Sequence, residues 1–301
     1  MYKKPHPFAV VLVFVLLFPF FSHFASAQVG LSLFPIKFRV TIDPGKSYSD
    51  TVTVINPNNY PIGIKPEVEN ISGGDEGSVD LIDTDIPHGV SGWIQIDKSQ
   101  FDLAPQERKQ IHFTITVPQN GEPGGHYGAI LFRGMPPSGS AQNGVGISGR
   151  IGSVVLVEVS GKTEKTGKLS NLTGPSYVDH GPVEFSFSVQ NTGNTHFDPQ
   201  GTVSARGLFI KNTNIPYEPR IVFPGKERTF KAVWDTKYLF GPITVTAAIN
   251  MPNGGAEVKT LSFFAFPWQE ALVVLGLIVL LLFVFRTFKT KFKIVRVAKN
   301  K

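Results

Sequence analysis

The stretch Pro267 to Phe285, PWQEALVVLGLIVLLLFVF, constrains this chain more than any other. Ala271 to Phe285 carry no polar side chain, and nineteen helical residues at about 1.5 Å each reach about 28 Å, close to the roughly 30 Å of a bilayer's hydrocarbon core. Pro267 suits a first helical position, where a missing N–H costs nothing, and Trp268 suits the headgroup layer. A transmembrane helix over 267–285 is therefore expected, in preference to a buried core helix. Arg286, Lys289, Lys291, Lys293, Arg296, Lys299 and Lys301 follow it with no acidic residue among them. By the positive-inside rule this basic tail, 286–301, is cytoplasmic and the bulk of the chain lies outside the cell. The same tail could also attract anionic lipid.

At the other end Lys3 and Lys4, the apolar run Phe8 to Phe21 and Ala25-Ser26-Ala27 form the three parts of an export signal over residues 1–27. A cleaved signal is expected, with an uncleaved signal anchor as the alternative. The formal charge of +6 then misleads, since two of the 29 basic residues lie in the signal and seven in the tail. Residues 28–266 carry 20 basic and 22 acidic groups without a basic run, which argues against nucleic acid as a partner. The chain has no cysteine, so disulfides, zinc thiolates and thiol nucleophiles are excluded. An exported region without disulfides must rely on packing, and a bacterial envelope is the expected setting.

Periodicity within residues 28–266 is that of strands. In Ile111-His112-Phe113-Thr114-Ile115-Thr116-Val117 the odd positions are apolar and the even ones polar, which puts one face on a core and the other in water. Val183 to Val189 and Ile243 to Ile249 repeat the pattern, and Met251 to Gly255 form a turn into the strand-like Val258 to Phe264. The fold class is all-β: two immunoglobulin-like β-sandwich domains, 28–160 and 169–266, with a signal-peptide helix before them and one transmembrane helix after. The polar segment 161–168 between them reads as a linker. A faint repeat relates the halves. Asp43-Pro44-Gly45-Lys46 leads into a strand ending at Asn56, while a strand ending at Asn191 and a turn at Phe223-Pro224-Gly225-Lys226 occupy the second half. No stalk separates Phe266 from the span, so the second domain should sit on the bilayer and hold the first away from it.

Catalytic patterns are missing. There is no His-Glu-x-x-His, Gly-x-Ser-x-Gly, phosphate-binding loop or dinucleotide fingerprint, and the seven histidines are scattered along the chain. Carboxylate pairs distant in sequence remain open as a hydrolytic alternative. Trp93 and Trp234 read as core residues in preference to sugar platforms. Two stretches look like surface: the Gly/Ser/Pro-rich loop 134–150, and Asp75, Glu76, Asp80, Asp83 and Asp85, an acidic loop that would be solvated or hold calcium, though its spacing matches no EF-hand. No cofactor is expected. Trp93, His126, Tyr127 and Arg133 are the candidate partner-binding residues, because exposed aromatics and arginine dominate contact energies and three of them flank glycine-rich backbone. Burial of Tyr127 or Trp93 would make either a core residue instead.

The order of signal, two β-domains, single span and basic tail resembles the bacterial WxL-interacting protein family. The similarity extends to the Pro-Gly turn before Val52 to Asn56, the Leu103 to Pro118 strand region, the return strand Gly124-Gly125-His126-Tyr127-Gly128-Ala129-Ile130-Leu131-Phe132, and Asn191-Thr192-Gly193-Asn194-Thr195-His196 with Pro199 and Gly201. The resemblance implies a first domain that binds peptidoglycan and a second that contacts other surface proteins. The expected function is thus a membrane-anchored extracellular binding or scaffolding protein of the cell envelope, on cell wall or another surface protein. Two alternatives stand beside it: a structural or assembly subunit of an envelope complex without wall binding, and a carbohydrate-active hydrolase.

Overall fold

The computed structural model describes residues 30–74, 78–137 and 149–291. The signal segment 1–27, Asp75 and Glu76 of the acidic loop, most of the 134–150 loop and the tail beyond Lys291 lie outside the described residues.

The first half of the chain forms β1 (Ser32–Phe34), β2 (Lys37–Ile42), β3 (Ser47–Ile55), β4 (Ile62–Gly73), β5 (Val79–Ile82), β6 (Ile94–Ile96), β7 (Phe101–Leu103), β8 (Arg108–Thr116), β9 (Gly124–Met135) and β10 (Arg150–Val159). One sheet has the order β1-β3-β8-β6, and the facing one β2-β10-β9-β4-β5, with β7 also on β4. The odd-numbered residues of β8 point inward as the alternation predicts: Ile111, Phe113 and Ile115 are buried and His112 is exposed. Together with Val52, Val54, Ile64, Phe132, Val155 and Val157 they fill the space between the sheets.

The second half forms β11 (Gly167–Thr173), β12 (Tyr177–Val178), β13 (Val183–Asn191), β14 (Gln200–Gly207), β15 (Thr213–Ile215), β16 (Glu227–Trp234), β17 (Gly241–Asn250) and β18 (Ala256–Ala265). The sheets β11-β13-β16 and β12-β18-β17-β14-β15 enclose a separate core. Phe185, Phe187, Val189, Ile243, Val245 and Trp234 all lie in it, so Trp234 is a core residue. The class is all-β, two sandwiches of the immunoglobulin type followed by one helix.

Both sandwiches end their third core strand with the same hydrogen-bonding device. Asn56 and Asn191 are fully buried, and each side-chain amide donates to the backbone carbonyl four residues on, Tyr60 and Thr195, at 2.8 Å in both cases. Each Oδ1 accepts the backbone N–H two residues on, from Asn58 and Gly193. Each backbone N–H reaches the end of a Pro-containing turn, the Glu107 carbonyl at 3.0 Å and the Lys226 carbonyl at 2.9 Å. The structural counterpart of Phe223-Pro224-Gly225-Lys226 is thus Ala104-Pro105-Gln106-Glu107. The sequence reading set Asp43-Pro44-Gly45-Lys46 against it, and the structure replaces that pairing. Gln106 at φ 60° fills the left-handed position that Gly225 holds at φ 68°.

After β18 comes helix α1 (Trp268–Lys291). Its stretch Trp268–Lys289 has 22 residues with mean hydropathy 2.7, and none of it is buried among the described residues. The carbonyl of Pro267 accepts the N–H of Ala271 at 3.0 Å, which makes Pro267 the cap and Trp268 the first helical residue, one later than expected. The absence of a stalk has a visible cause. Phe266 donates its N–H to Val178 at 3.0 Å and accepts the Tyr177 hydroxyl at 3.0 Å, so the second sandwich holds the chain up to the residue before the cap.

Candidate functional site

The central strands of the first sandwich are buried on both faces, and the second face is where function has to be sought. In β9 the even residues Ile130 and Phe132 point into the sandwich core, while the odd ones Tyr127, Ala129 and Leu131 point out the other side. Leu156 of β10 and Ile71 of β4 join them, and Phe223 of the second sandwich is seated among them. Its ring meets Tyr127 edge-on, with centroids 4.8 Å apart and planes at 82°. Further along the same outer face the side chains turn charged. Glu67 accepts from Arg133 at 3.0 Å and lies 3.6 Å from Arg150, which also pairs with Glu69. The outer face is apolar where the second sandwich covers it and ionic beyond.

The polar half of the junction is built on the Asn191–His196 loop. The Asn194 carbonyl accepts the Gly125 N–H at 2.8 Å, its Nδ2 donates to Lys162 at 2.9 Å, and its Oδ1 accepts the Glu164 N–H at 2.7 Å. The segment read as a linker is therefore tied down along its length, and its last two residues, Gly167 and Lys168, already belong to β11. Glycine is required on the facing strand. A Cβ on Gly124, at φ 130°, would come within 2.7 Å of the Asn194 carbonyl, and one on Gly125 within 1.7 Å of the Tyr127 hydroxyl. That hydroxyl meets His196 Nδ1 at 3.3 Å.

Burial, aided by the positive charges of Arg39 and Lys165, pushes His196 down from its ordinary 6.5 to about 4, against the opposing pull of Glu158 and Asp198. Burial lowers His126 as well. Both rings are held neutral in the fold, whereas the unfolded chain takes up protons from pH 6.5 downward. Stability is consequently full above about pH 6.5 and is lost as pH falls from there towards 4. The His196 contribution alone is expected to cost on the order of 2 kcal/mol by pH 4. Urea titrations of residues 28–266 at pH 7 and pH 4.5 will show the loss, and His196→Gln is expected to flatten the difference.

Of the residues singled out in the sequence, Tyr127 and His126 are each only 4 % exposed. Tyr127 faces the second sandwich, and the structure makes it an internal contact residue where a surface one was expected. His126 points inward: its Nε2 lies 2.8 Å from the Glu122 carbonyl, and its ring is 4.6 Å from Trp93 and 5.4 Å from His88. Trp93, in a short 3-10 turn (Ser91–Trp93), is half-buried against the first core. Arg133 remains at the surface but is engaged by Glu67. Three of the four thus gather around one end of β9, and Arg133 stands at the other. Of the histidines that looked scattered, His88 and His126 are neighbours, whereas His112 faces solvent on β8 and His180 pairs with Asp179. Among the described residues no three His, Asp or Glu side chains gather as a metal ion would need.

The residues sequence reasoning missed line a groove where the sandwiches meet. Two adjoining cavities of about 420 and 410 Å³ share Glu218, Arg220 and Arg228, and the second reaches across to Lys37 of the first sandwich. Arg39 bridges the two halves through Asp198 at 2.8 Å. Arg220 holds Glu218 at 2.6 Å, and Arg228 donates to the Ile221 carbonyl at 2.7 Å. With Lys231 the lining carries four cations against the two carboxylates of Asp198 and Glu218. No family model matches the chain. No curated protein matches it either. Among solved structures it is similar to the class 5 fimbriae chaperone CfaA, at 14 % identity over 79 % of this chain and 100 % of that one, TM-score 0.42. It is also similar to the E. coli chaperone DraB, at 15 % identity over 78 % and 97 % of the two chains, TM-score 0.39. The Salmonella enterica SafA pilin complex with the SafB chaperone matches at 14 % identity over 80 % and 98 %, TM-score 0.40. None of these similarities bears on what the groove holds. Its charge was hard to see beforehand, because Lys37 is distant in the chain from the other three, and Arg220, Arg228 and Lys231 are interspersed with apolar and acidic residues instead of forming a basic run.

Proposed function

We propose that the chain is a single-pass, membrane-anchored binding or scaffolding protein that stands outside a bacterial cell and holds an acidic partner, on the cell wall or on another surface protein, in the groove between its sandwiches. The observation that carries this reading is α1. Its 22-residue stretch Trp268–Lys289, about 33 Å at the helical rise and without a polar side chain from Ala271 to Phe285, matches the hydrocarbon core, and none of it is buried by the described residues. The charge pattern beyond the helix supports an outside ectodomain, and the resemblance to the WxL-interacting proteins points the same way. A role without chemistry of its own is supported by how the ionisable groups are used: Glu67, Glu69, Glu158 and Asp198 sit in ion pairs, and His126 and His196 are buried.

Residues 28–266 are expected to sediment with isolated peptidoglycan, or to capture a second surface protein, at low salt and to release it as salt rises. The double variant Lys37→Glu/Arg220→Glu should weaken that binding about tenfold or more while leaving the urea midpoint unchanged. If the ectodomain stays in the supernatant, captures nothing, and the full-length protein co-purifies with other membrane proteins, the assembly-subunit role replaces this one.

A further inference from the structure

At the end of the second sandwich from which α1 departs, the surface is apolar where a soluble domain would be polar. The registers Gly207↔Ile243 and Gly241↔Ala265 bring the end of β14, the start of β17 and the end of β18 to one rim. Two loops project there. One carries Leu208 and Phe209, 75 % and 68 % exposed, and the other carries Tyr238 and Phe240, 59 % and 47 % exposed. The Phe209 and Phe240 rings meet at a tilt with centroids 5.6 Å apart, as do Phe240 and Phe266 at 5.7 Å. Two residues beyond Phe266, Trp268 opens the helix, itself 47 % exposed. The rings thus form one continuous apolar surface with α1. Lys237, whose Nζ lies 5.2 Å over the Tyr238 ring, and the exposed Lys211, two residues after Phe209, supply cations next to the two loops.

Large contiguous exposed apolar patches on a sandwich mark a contact, and continuity with the helix specifies which one. Aromatic rings favour the headgroup layer, where one side is apolar and the other wet, and lysines there reach lipid phosphates. We propose that the 208–209 and 238–240 loops dip into the interfacial layer of the bilayer that α1 crosses, so that the second sandwich is moored to lipid beside its own anchor. The inference rests on the membrane-span reading of α1. Its consequence is geometric. The bracing of Phe266 by Val178 and Tyr177 and the lipid contact of both loops fix the tilt of the ectodomain, and with it the height and direction of the groove.

The cysteine-free chain allows single labelled cysteines without background. Full-length Phe209→Cys and Phe240→Cys, each carrying an environment-sensitive fluorophore, are reconstituted in nanodiscs of phosphatidylethanolamine and phosphatidylglycerol with and without spin-labelled lipid. Leu208→Cys is a second reporter with no ring contact to lose. Leu277→Cys reports the span, and Val258→Cys, exposed on β18 seven residues from Ala265 and so about 23 Å away, reports open water. The expected result is blue-shifted emission quenched by the spin-labelled lipid at 208, 209, 240 and 277 and not at 258. Quenching at 277 with 208, 209 and 240 behaving like 258 overturns the mooring and leaves the span intact. No quenching at 277 overturns both.

Discussion

Replacing Asn191 by alanine is expected to remove about 2 to 3 kcal/mol of stability. The side chain is fully buried, and it pairs with three backbone groups: the buried Thr195 and Val222 carbonyls at 2.8 and 2.9 Å and the part-buried Gly193 N–H at 2.9 Å. Alanine leaves the Thr195 carbonyl unpaired, at about 1 to 3 kcal/mol, and takes the shorter of two bonds from the Val222 carbonyl, which keeps the Phe197 N–H at 3.4 Å, and from the Gly193 N–H, which keeps the Thr166 carbonyl at 3.2 Å. The loop it shapes also delivers Asn194 and His196 to the first sandwich, so the damage should reach the junction. Asn56→Ala removes the matching network, with bonds to Tyr60 and Ala104 at 2.8 and 3.0 Å, but that loop serves only its own sandwich. Urea unfolding of residues 28–266 measures both. The two variants should lose similar stability, and only Asn191→Ala should also increase protease access to the 161–166 segment. A loss below about 1 kcal/mol for Asn191→Ala would show that the loop is held by its backbone alone.

These two asparagines also mark where the sequence could and could not be read. The strands were legible because one face of β8, β13 and β17 meets a core and the other meets water, which writes the period of two directly into the residues. Helix α1 was legible because Ala271 to Phe285 run without a polar side chain, longer than a buried strand and without its punctuation. The faint likeness between the halves was visible, but its register was not: Pro-Gly at 44–45 resembles Pro-Gly at 224–225 more than Pro-Gln at 105–106 does, and only the hydrogen bonds of Asn56 and Asn191 identify the true counterpart. The junction was misread for a different reason. Ala129-Ile130-Leu131-Phe132 and Val154-Val155-Leu156-Val157 break the alternation with apolar residues on both faces, the mark of a strand covered on both sides. That signal pointed to an internal surface under Tyr127, whereas the glycine-flanked aromatics alone suggested an external one. The groove left no local trace, because its cations come from β2, β16 and the segment between β15 and β16, and only the docking of the sandwiches collects them.

That docking depends on one ring, and Phe223→Ala is expected to weaken it by about 3 kcal/mol. Phe223 is 6 % exposed, and among the described residues it is the one buried side chain that the second sandwich contributes to the cluster of Ile71, Tyr127, Ala129, Leu131 and Leu156, with Ile221 at its margin. The two sandwich cores lie elsewhere and keep their own packing. Truncating the ring should therefore not unfold either sandwich but release one from the other, as domains joined by a small interface do when it weakens. Calorimetry of residues 28–266 should pass from one transition to two, and Phe223→Leu, which refills most of the volume, should restore the single one. An unchanged single transition in the alanine variant would mean that Asn194 and the Arg39–Asp198 pair hold the junction without the ring. The functional reading makes a sharper demand on the same variant. Lys37 lies on the first sandwich and Arg220 and Arg228 on the second, so a partner that contacts all three needs them held at one spacing. Binding by Phe223→Ala should then fall even at temperatures where both sandwiches are folded, because the cations are still present but no longer presented together.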